Sequence, residues 1–176
     1  MKSVNNILVI GASSLIAQQL IDQHLAGDES RKVIAVSRSK PVNSVTSDTM
    51  DSDRLRWLQC DYAESSIAAI TQQLQVEKAK FVRVYVCNGV LHDKSIAPEK
   101  RLENLQIASF EQVMHTNAII PLLWLKHLKP ILKGSDRCLI TVFSARVGSI
   151  RDNGLGGWYA YRASKAALNM MIKNAS

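Results

Sequence analysis

Tyr161 and Lys165 stand four residues apart in the run Trp158 to Met171, WYAYRASKAALNMM. On a helix that spacing puts the phenol and the ammonium on one face, about 40° apart around the axis. An ammonium beside a phenol favours the phenolate, lowers the tyrosine pKa and lets the hydroxyl exchange a proton nearer neutral pH. The pair can therefore serve as a general acid. The same spacing also arises on the solvated faces of ordinary amphipathic helices, so the surrounding elements have to decide between the two.

Those elements alternate. Val4 to Ile10 is a short apolar run ending at Gly11, which reads as a buried strand and a turn. Ser13 can cap the helix that follows, whose apolar pattern at Leu15, Ile16, Leu20 and Leu25 closes at Gly27. Lys32 to Ser37 is a second strand, so a βαβ unit with a parallel sheet opens the chain. Ser39 to Asp53 is polar and reads as a long surface loop. Leu55 to Cys60, Phe81 to Cys87 and Cys138 to Phe143 supply three more strands. Helices are expected over Ala63 to Lys78 and Ser109 to Leu132, the latter kinked or divided by Pro121. A Gly-rich loop, Gly148 to Gly157, leads into the helix that carries Tyr161 and Lys165. This alternation predicts an α/β fold, a doubly wound, Rossmann-like parallel sheet in three αβα layers, with residues 1–176 as one domain.

In such a fold ligands bind beyond the carboxyl ends of the strands. Gly11 to Ala17, Ser37, Arg38, Asp61, Asn88, Gly89 and Ser144 are brought to that edge from distant parts of the sequence. In GASSLIA, Gly11 permits a tight turn, Ala12 does not obstruct it, and Ser13 and Ser14 offer hydroxyls to an anion at a helix N-terminus. Taken alone, the segment also fits a core strand that merely ends in glycine.

Together these positions resemble the short-chain dehydrogenase/reductase family. Its glycine motif falls at Gly11, its Asn-Ala-Gly at Cys87-Asn88-Gly89, its serine at Ser144 and its Tyr-xxx-Lys at Tyr161 and Lys165, with Asn117 of HTNAIIP matching the asparagine of the preceding helix. GGWYAYRASKAALN further resembles the C-factor-like and sniffer-like carbonyl reductases. The resemblance implies hydride transfer between a nicotinamide and a small-molecule carbonyl or alcohol. Tyr161 would be the general acid, Lys165 its pKa modulator and ribose ligand, Asn117 the holder of a water and Ser144 the hydrogen-bond partner of the substrate oxygen. Cofactor contacts fall to Gly11, Ser13, Ser14, Leu15, Ile16, Ser37, Arg38, Asp61, Tyr62, Asn88, Gly89, Tyr161 and Lys165. An acid at the end of the second strand would select NAD(H), whereas Ser37 and Arg38 favour NADP(H).

Leu15 and Ala17 stand where the family carries further glycines, and alignment on Gly148 puts Ala145 at the serine position. The chain also ends where family members continue into further strands and a substrate-covering loop. These departures motivate the alternative reading, a catalytically weak or inactive cofactor-binding protein of the same fold, acting in signalling or as a scaffold.

The net charge of +7 is scattered among acids without basic runs, so no nucleic-acid partner is expected. No apolar run has the length of a bilayer span, and no metal spacing links Cys60, Cys87 and Cys138. An odd number of such thiols points to reduced cysteines in a cytoplasmic protein. By resemblance the chain is expected to form a homodimer or homotetramer.

Overall fold

The computed structural model describes residues 5–27, 29–40, 53–133 and 137–176. Two compact units divide them. The first comprises Met1–Cys87 and Leu125–Val142, the second Asn88–Trp124 and Phe143–Ser176.

The first unit holds the sheet. Its strands β1 (Asn5–Ile10), β2 (Arg31–Ser37), β3 (Leu55–Gln59), β4 (Phe81–Val86) and β5 (Leu139–Val142) lie in the order β3-β2-β1-β4-β5, all parallel. Central strands of a parallel sheet are covered on both faces and therefore read as unbroken apolar runs. Ile7, Leu8, Val9 and Ile10 of β1 and Val33, Ala35 and Val36 of β2 are accordingly fully buried. The marginal strands differ: β3 exposes Arg56 and Gln59, and β5 leaves Leu139 and Ile140 exposed. After β3 the chain returns to the other side of β1, the reversal that defines a doubly wound sheet, so the switch point falls between β1 and β4.

Helix α1 (Leu15–Ala26) joins β1 to β2, and α2 (Glu64–Val76) joins β3 to β4. Ser14, not Ser13 as the pattern predicted, caps α1: its Oγ accepts from Ala17 N at 3.3 Å. A cap bonds the amide two or three positions into the helix, and the helix starts one residue later than expected. Gly27 closes α1 as foreseen. Residues 41–52 of the expected loop lie outside the described residues.

At the C-terminal end of α1 a buried polar pair is satisfied internally. His24 Nε2 meets Tyr85 OH at 3.0 Å and Nδ1 meets Arg31 Nη1 at 3.3 Å. Burial, with Arg31 and Arg83 adding to it, lowers the histidine pKa, so the ring stays neutral and keeps both bonds.

In the second unit the expected long helix is divided into α3 (Ile107–Met114), a π turn (His115–Ile119) and α4 (Ile120–Leu132), whose last turns belong to the first unit. The break falls just ahead of Pro121 and not at it. Pro121 has no N–H to return to the Asn117 carbonyl, and the ladder widens over the preceding turn, where Ile120 N reaches His115 O. A short 3₁₀ turn (Arg146–Gly148) opens the Gly-rich loop, and α5 (Tyr159–Ala175) follows it. Among the described residues no helix is long and apolar enough to cross a membrane.

Leu8 and Leu15 provide a contrast within one sequence, the first fully buried and the second 79% exposed. Urea denaturation of Leu8→Ala is expected to show a loss of about 2–5 kcal/mol, and of Leu15→Ala a change within about 0.5 kcal/mol. Similar losses for both would contradict the burial pattern.

Candidate active site

In the first unit a single acceptor organises the turn after β1. The Val36 carbonyl at the end of β2 accepts from Gly11 N at 2.9 Å, Ala12 N at 3.0 Å and Tyr62 OH at 3.3 Å. Gly11 takes a φ of 78°, a left-handed conformation that glycine adopts without a Cβ penalty. The turn then feeds α1, where Ser14 Oγ takes the Ala17 amide and Ser14 O the Gln18 amide. The first amides of a helix have no carbonyl one turn behind them. Those at Leu15 and Ile16 are therefore the ones an anion could take, and Ser13 stands beside them. Both apolar side chains are exposed at this N-terminus.

Ser37 is buried and donates to the Ser39 carbonyl at 2.7 Å, which turns the chain at the end of β2 and leaves Arg38 exposed. Asp61 is exposed. The Ser66 hydroxyl and the Ala63 amide, the latter 2.9 Å from Oδ1, hold its carboxyl below the usual range, so it already serves the start of α2. Tyr62 is buried at a φ of 69°, its hydroxyl engaged with Val36 as above.

In the second unit the residues predicted to do chemistry converge on α5. Lys165 is 3% exposed, and its Nζ donates to the Phe143 carbonyl at 3.0 Å and lies 5.8 Å from the centre of the Tyr161 ring. Gly89 lies against the same corner, where a Cβ would make ordinary contacts of 3.5 Å with Lys165 Nζ and 3.7 Å with Asn117 Oδ1. Gly148 packs closer still, since a Cβ would come within 2.8 Å of the Lys165 backbone carbon. Asn117, fully buried in the π turn, pairs with the Val90 backbone through Oδ1 (2.7 Å) and Nδ2 (2.9 Å). Its Nδ2 also donates to Ser164 Oγ at 3.0 Å, and Ser164 Oγ donates to the Tyr161 carbonyl at 2.8 Å. Asn88 is buried, and its Oδ1 has no hydrogen-bond partner among the described residues.

Two predicted features take a different form. Burial pushes the Tyr161 phenol above its ordinary value and the Lys165 ammonium below its own, so desolvation outweighs the expected pull of the cation on the phenol. The Ser144 hydroxyl donates to Asn169 Oδ1 at 2.6 Å. The structure thus groups Tyr161, Lys165, Asn117 and Gly89, and engages the Ser144 hydroxyl with Asn169.

Ser164 and Gly148 were not singled out from sequence. Ser164 sits inside the YRASK run and differs from any exposed helical serine only by the partner it meets. The Gly148 requirement shows only once Lys165 is packed against it.

Comparison with known proteins bears directly on this arrangement. A family model described as short chain dehydrogenase matches residues 5–176. The C-signal protein of Myxococcus xanthus is 35% identical over 75 residues, which are 43% of this chain and 45% of that protein. A short-chain dehydrogenase/reductase from Burkholderia multivorans, solved with bound NADP, matches at a TM-score of 0.78 and 25% identity over 97% of this chain and 71% of its own. Carbonyl reductase Sniffer of D. melanogaster shares the fold at a TM-score of 0.82, with 21% identity over 97% of this chain and 73% of its own. The chain spans about half the length, 46% and 45%, of the curated relatives it matches. A parallel sheet switching direction at a glycine turn, a Tyr-xxx-Lys helix and a match that runs along the described chain have one reading: the chain belongs to the short-chain dehydrogenase family.

Proposed function

We propose that this chain carries the catalytic machinery of an NADP(H)-dependent carbonyl reductase, or alcohol dehydrogenase in the reverse direction. The observation that carries the reading is the buried Lys165 ammonium held on the Phe143 carbonyl beside the Tyr161 ring. A buried cation is costly unless it is paired or hydrogen-bonded, and perturbed titratable groups brought together mark candidate functional sites.

The residues present fit a dinucleotide. The Leu15 and Ile16 amides, with Ser13 and Ser14, suit a pyrophosphate at the α1 N-terminus. Leu15 is anchored by little packing and can turn aside. Arg38 offers a cation suited to a 2′-phosphate, with Ser37 beneath it, and Asp61 and Tyr62 stand at the end of β3 for the adenine. The orphaned Asn88 Oδ1 is an acceptor suited to a hydroxyl-bearing group, and Gly89 leaves room beside Lys165. The cofactor supplies the hydride. Tyr161 gives its proton to the alkoxide that develops on the substrate, and Lys165 holds ribose hydroxyls. Asn117 fixes the Val90 segment and can hold a water, and Ser144 bonds the substrate oxygen if it releases Asn169.

Tyr161 is protonated at neutral pH, the form a general acid needs, while burial, which pushes the phenol above its ordinary value, makes it a weaker acid. Under this reading the protein is cytoplasmic and its α3, α4 and α5 faces pair in a homodimer or homotetramer. The rival reading, an inactive cofactor-binding signalling or scaffold protein, rests on the departures at Leu15 and Ala145.

A difference ultraviolet titration, wild type minus Tyr161→Phe, is expected to reveal one phenol titrating above the ordinary value of 10.0. Because the folded value lies above the unfolded one, this group's contribution to stability is full below about pH 10 and is lost as pH rises through the folded value. A Tyr161 titration below 10 would contradict the burial argument. With NADPH and a panel of aldehydes and ketones, Tyr161→Phe is expected to lower kcat by about 10²–10⁴ while leaving cofactor binding in place. Tight cofactor binding without turnover in the wild type would favour the rival.

A further inference from the structure

Helix α5 begins badly by its own sequence. Its N-cap position is Trp158, which makes no side-chain cap bond, and no acid stands in its first turn. The approach is also unfavourable, because Gly156, Gly157 and Trp158 follow one another with φ of 67°, 66° and 53°. A left-handed conformation is unfavourable for a bulky residue such as tryptophan. A helix start lacking a polar cap forgoes a further stabilising bond. Tyr161 sits at the third position of this helix, where an ill-defined first turn would leave its phenol poorly aimed.

The missing acceptors come from a residue some sixty positions earlier. The Glu99 carbonyl accepts the Trp158 amide, and Glu99 Oε2 accepts the Ala160 amide at 3.4 Å. Ala160 is the second helical residue, the position whose amide a cap side chain ordinarily takes. Glu99 is 6% exposed, so its charge faces the positive end of the α5 dipole in a medium that screens it little. Gly157 allows the approach, since a Cβ there would lie 3.2 Å from the Glu99 carbonyl oxygen.

The segment that presents Glu99 is itself braced. Asp93 Oδ1 accepts from Ser95 N, Ser95 Oγ and Ile96 N within 2.9 Å, and Ile96 is buried with Val113 and Ala160. The carboxylate is thus delivered from a fixed turn and packs from the same side as the residue it caps.

We propose that Glu99 is the positioning residue for Tyr161, a long-range N-cap that fixes the first turn of α5 and so the aim of the phenol. It does not touch the reacting atoms. The proposal rests on the reading of Tyr161 as general acid, and its test separates the two. Three variants of the full chain are compared with the wild type. Glu99→Gln keeps an acceptor at the same reach, Glu99→Asp keeps the charge but withdraws it by one methylene, and Glu99→Ala removes both. Amide hydrogen exchange needs no turnover: Glu99→Ala and Glu99→Asp are expected to speed exchange at Ala160 and Tyr161 about tenfold, with Leu168 and later amides unchanged. In carbonyl reduction these two variants should lose about 10–100-fold in kcat with KM for NADPH within about twofold, and Glu99→Gln should recover most of it. Exchange that is unchanged, or that rises evenly along α5, would overturn the proposal, as would a Glu99→Gln variant no better than Glu99→Asp. Should Glu99→Ala fail to fold, the Gln and Asp pair decides alone. A wild type without turnover would overturn the functional reading, while exchange would still decide the role of Glu99.

Discussion

A lysine ammonium 3% exposed is the constraint to which the second unit answers. Removing that charge from water is tolerable only with hydrogen bonds and compensating dipoles close by. The Phe143 carbonyl supplies the first, and the face of the Tyr161 ring contributes a weaker attraction. The rest follows from making room. Gly148 packs against Lys165 where a side chain would collide, and Gly89 and Asn117 reach the same corner from the loop after β4 and from the π turn. Asn117 in turn pairs with Val90 on one edge and links through Ser164 to the Tyr161 carbonyl. One buried charge therefore couples the loop after β4, the π turn, the 3₁₀ turn and α5.

In the first unit a neutral group plays the organising part. The Val36 carbonyl collects the Gly11 and Ala12 amides and the Tyr62 hydroxyl, binding the turn after β1 to the segment after β3 through the end of β2. Its two lone pairs are shared among three donors, which ties three segments to one point. The two units thus use different physics: hydrogen-bonded backbone shapes the turn before α1, and a desolvated cation organises the packing around α5.

The sheet was legible because burial on both faces imposes mostly apolar runs on β1, β2 and β4, and turn residues mark their ends. Tyr161, Lys165, Asn88, Gly89 and Asn117 were singled out through their order and spacing along the chain, which resemble the family's, since the Tyr-Lys spacing alone is common on amphipathic helices. What escaped depends on partners remote in sequence. Nothing local distinguishes Glu99 in a charged connection, or Ser164 in a helix, until the groups they meet are known. The cap at Ser14 in place of Ser13 is a one-residue shift between two equally suitable side chains. Ser144 was read from its position at a strand end, yet Asn169 claims its hydroxyl. The sign of the Tyr161 shift was missed for a different reason. Spacing on a helix reveals the nearby cation but not the burial that both groups share, and here burial prevails.

The account stands on Tyr161 and Lys165 serving a hydride transfer from a nicotinamide. The most direct measurement follows the hydride itself, by incubating the chain with a ketone and NADPH carrying deuterium at C4 of the nicotinamide and recording the mass spectrum of the alcohol. Deuterium from one prochiral position of NADPH, bound to the new carbinol carbon, is the predicted result, with slower transfer from labelled NADH. An alcohol formed without the label, or no alcohol while the cofactor remains bound, would contradict it.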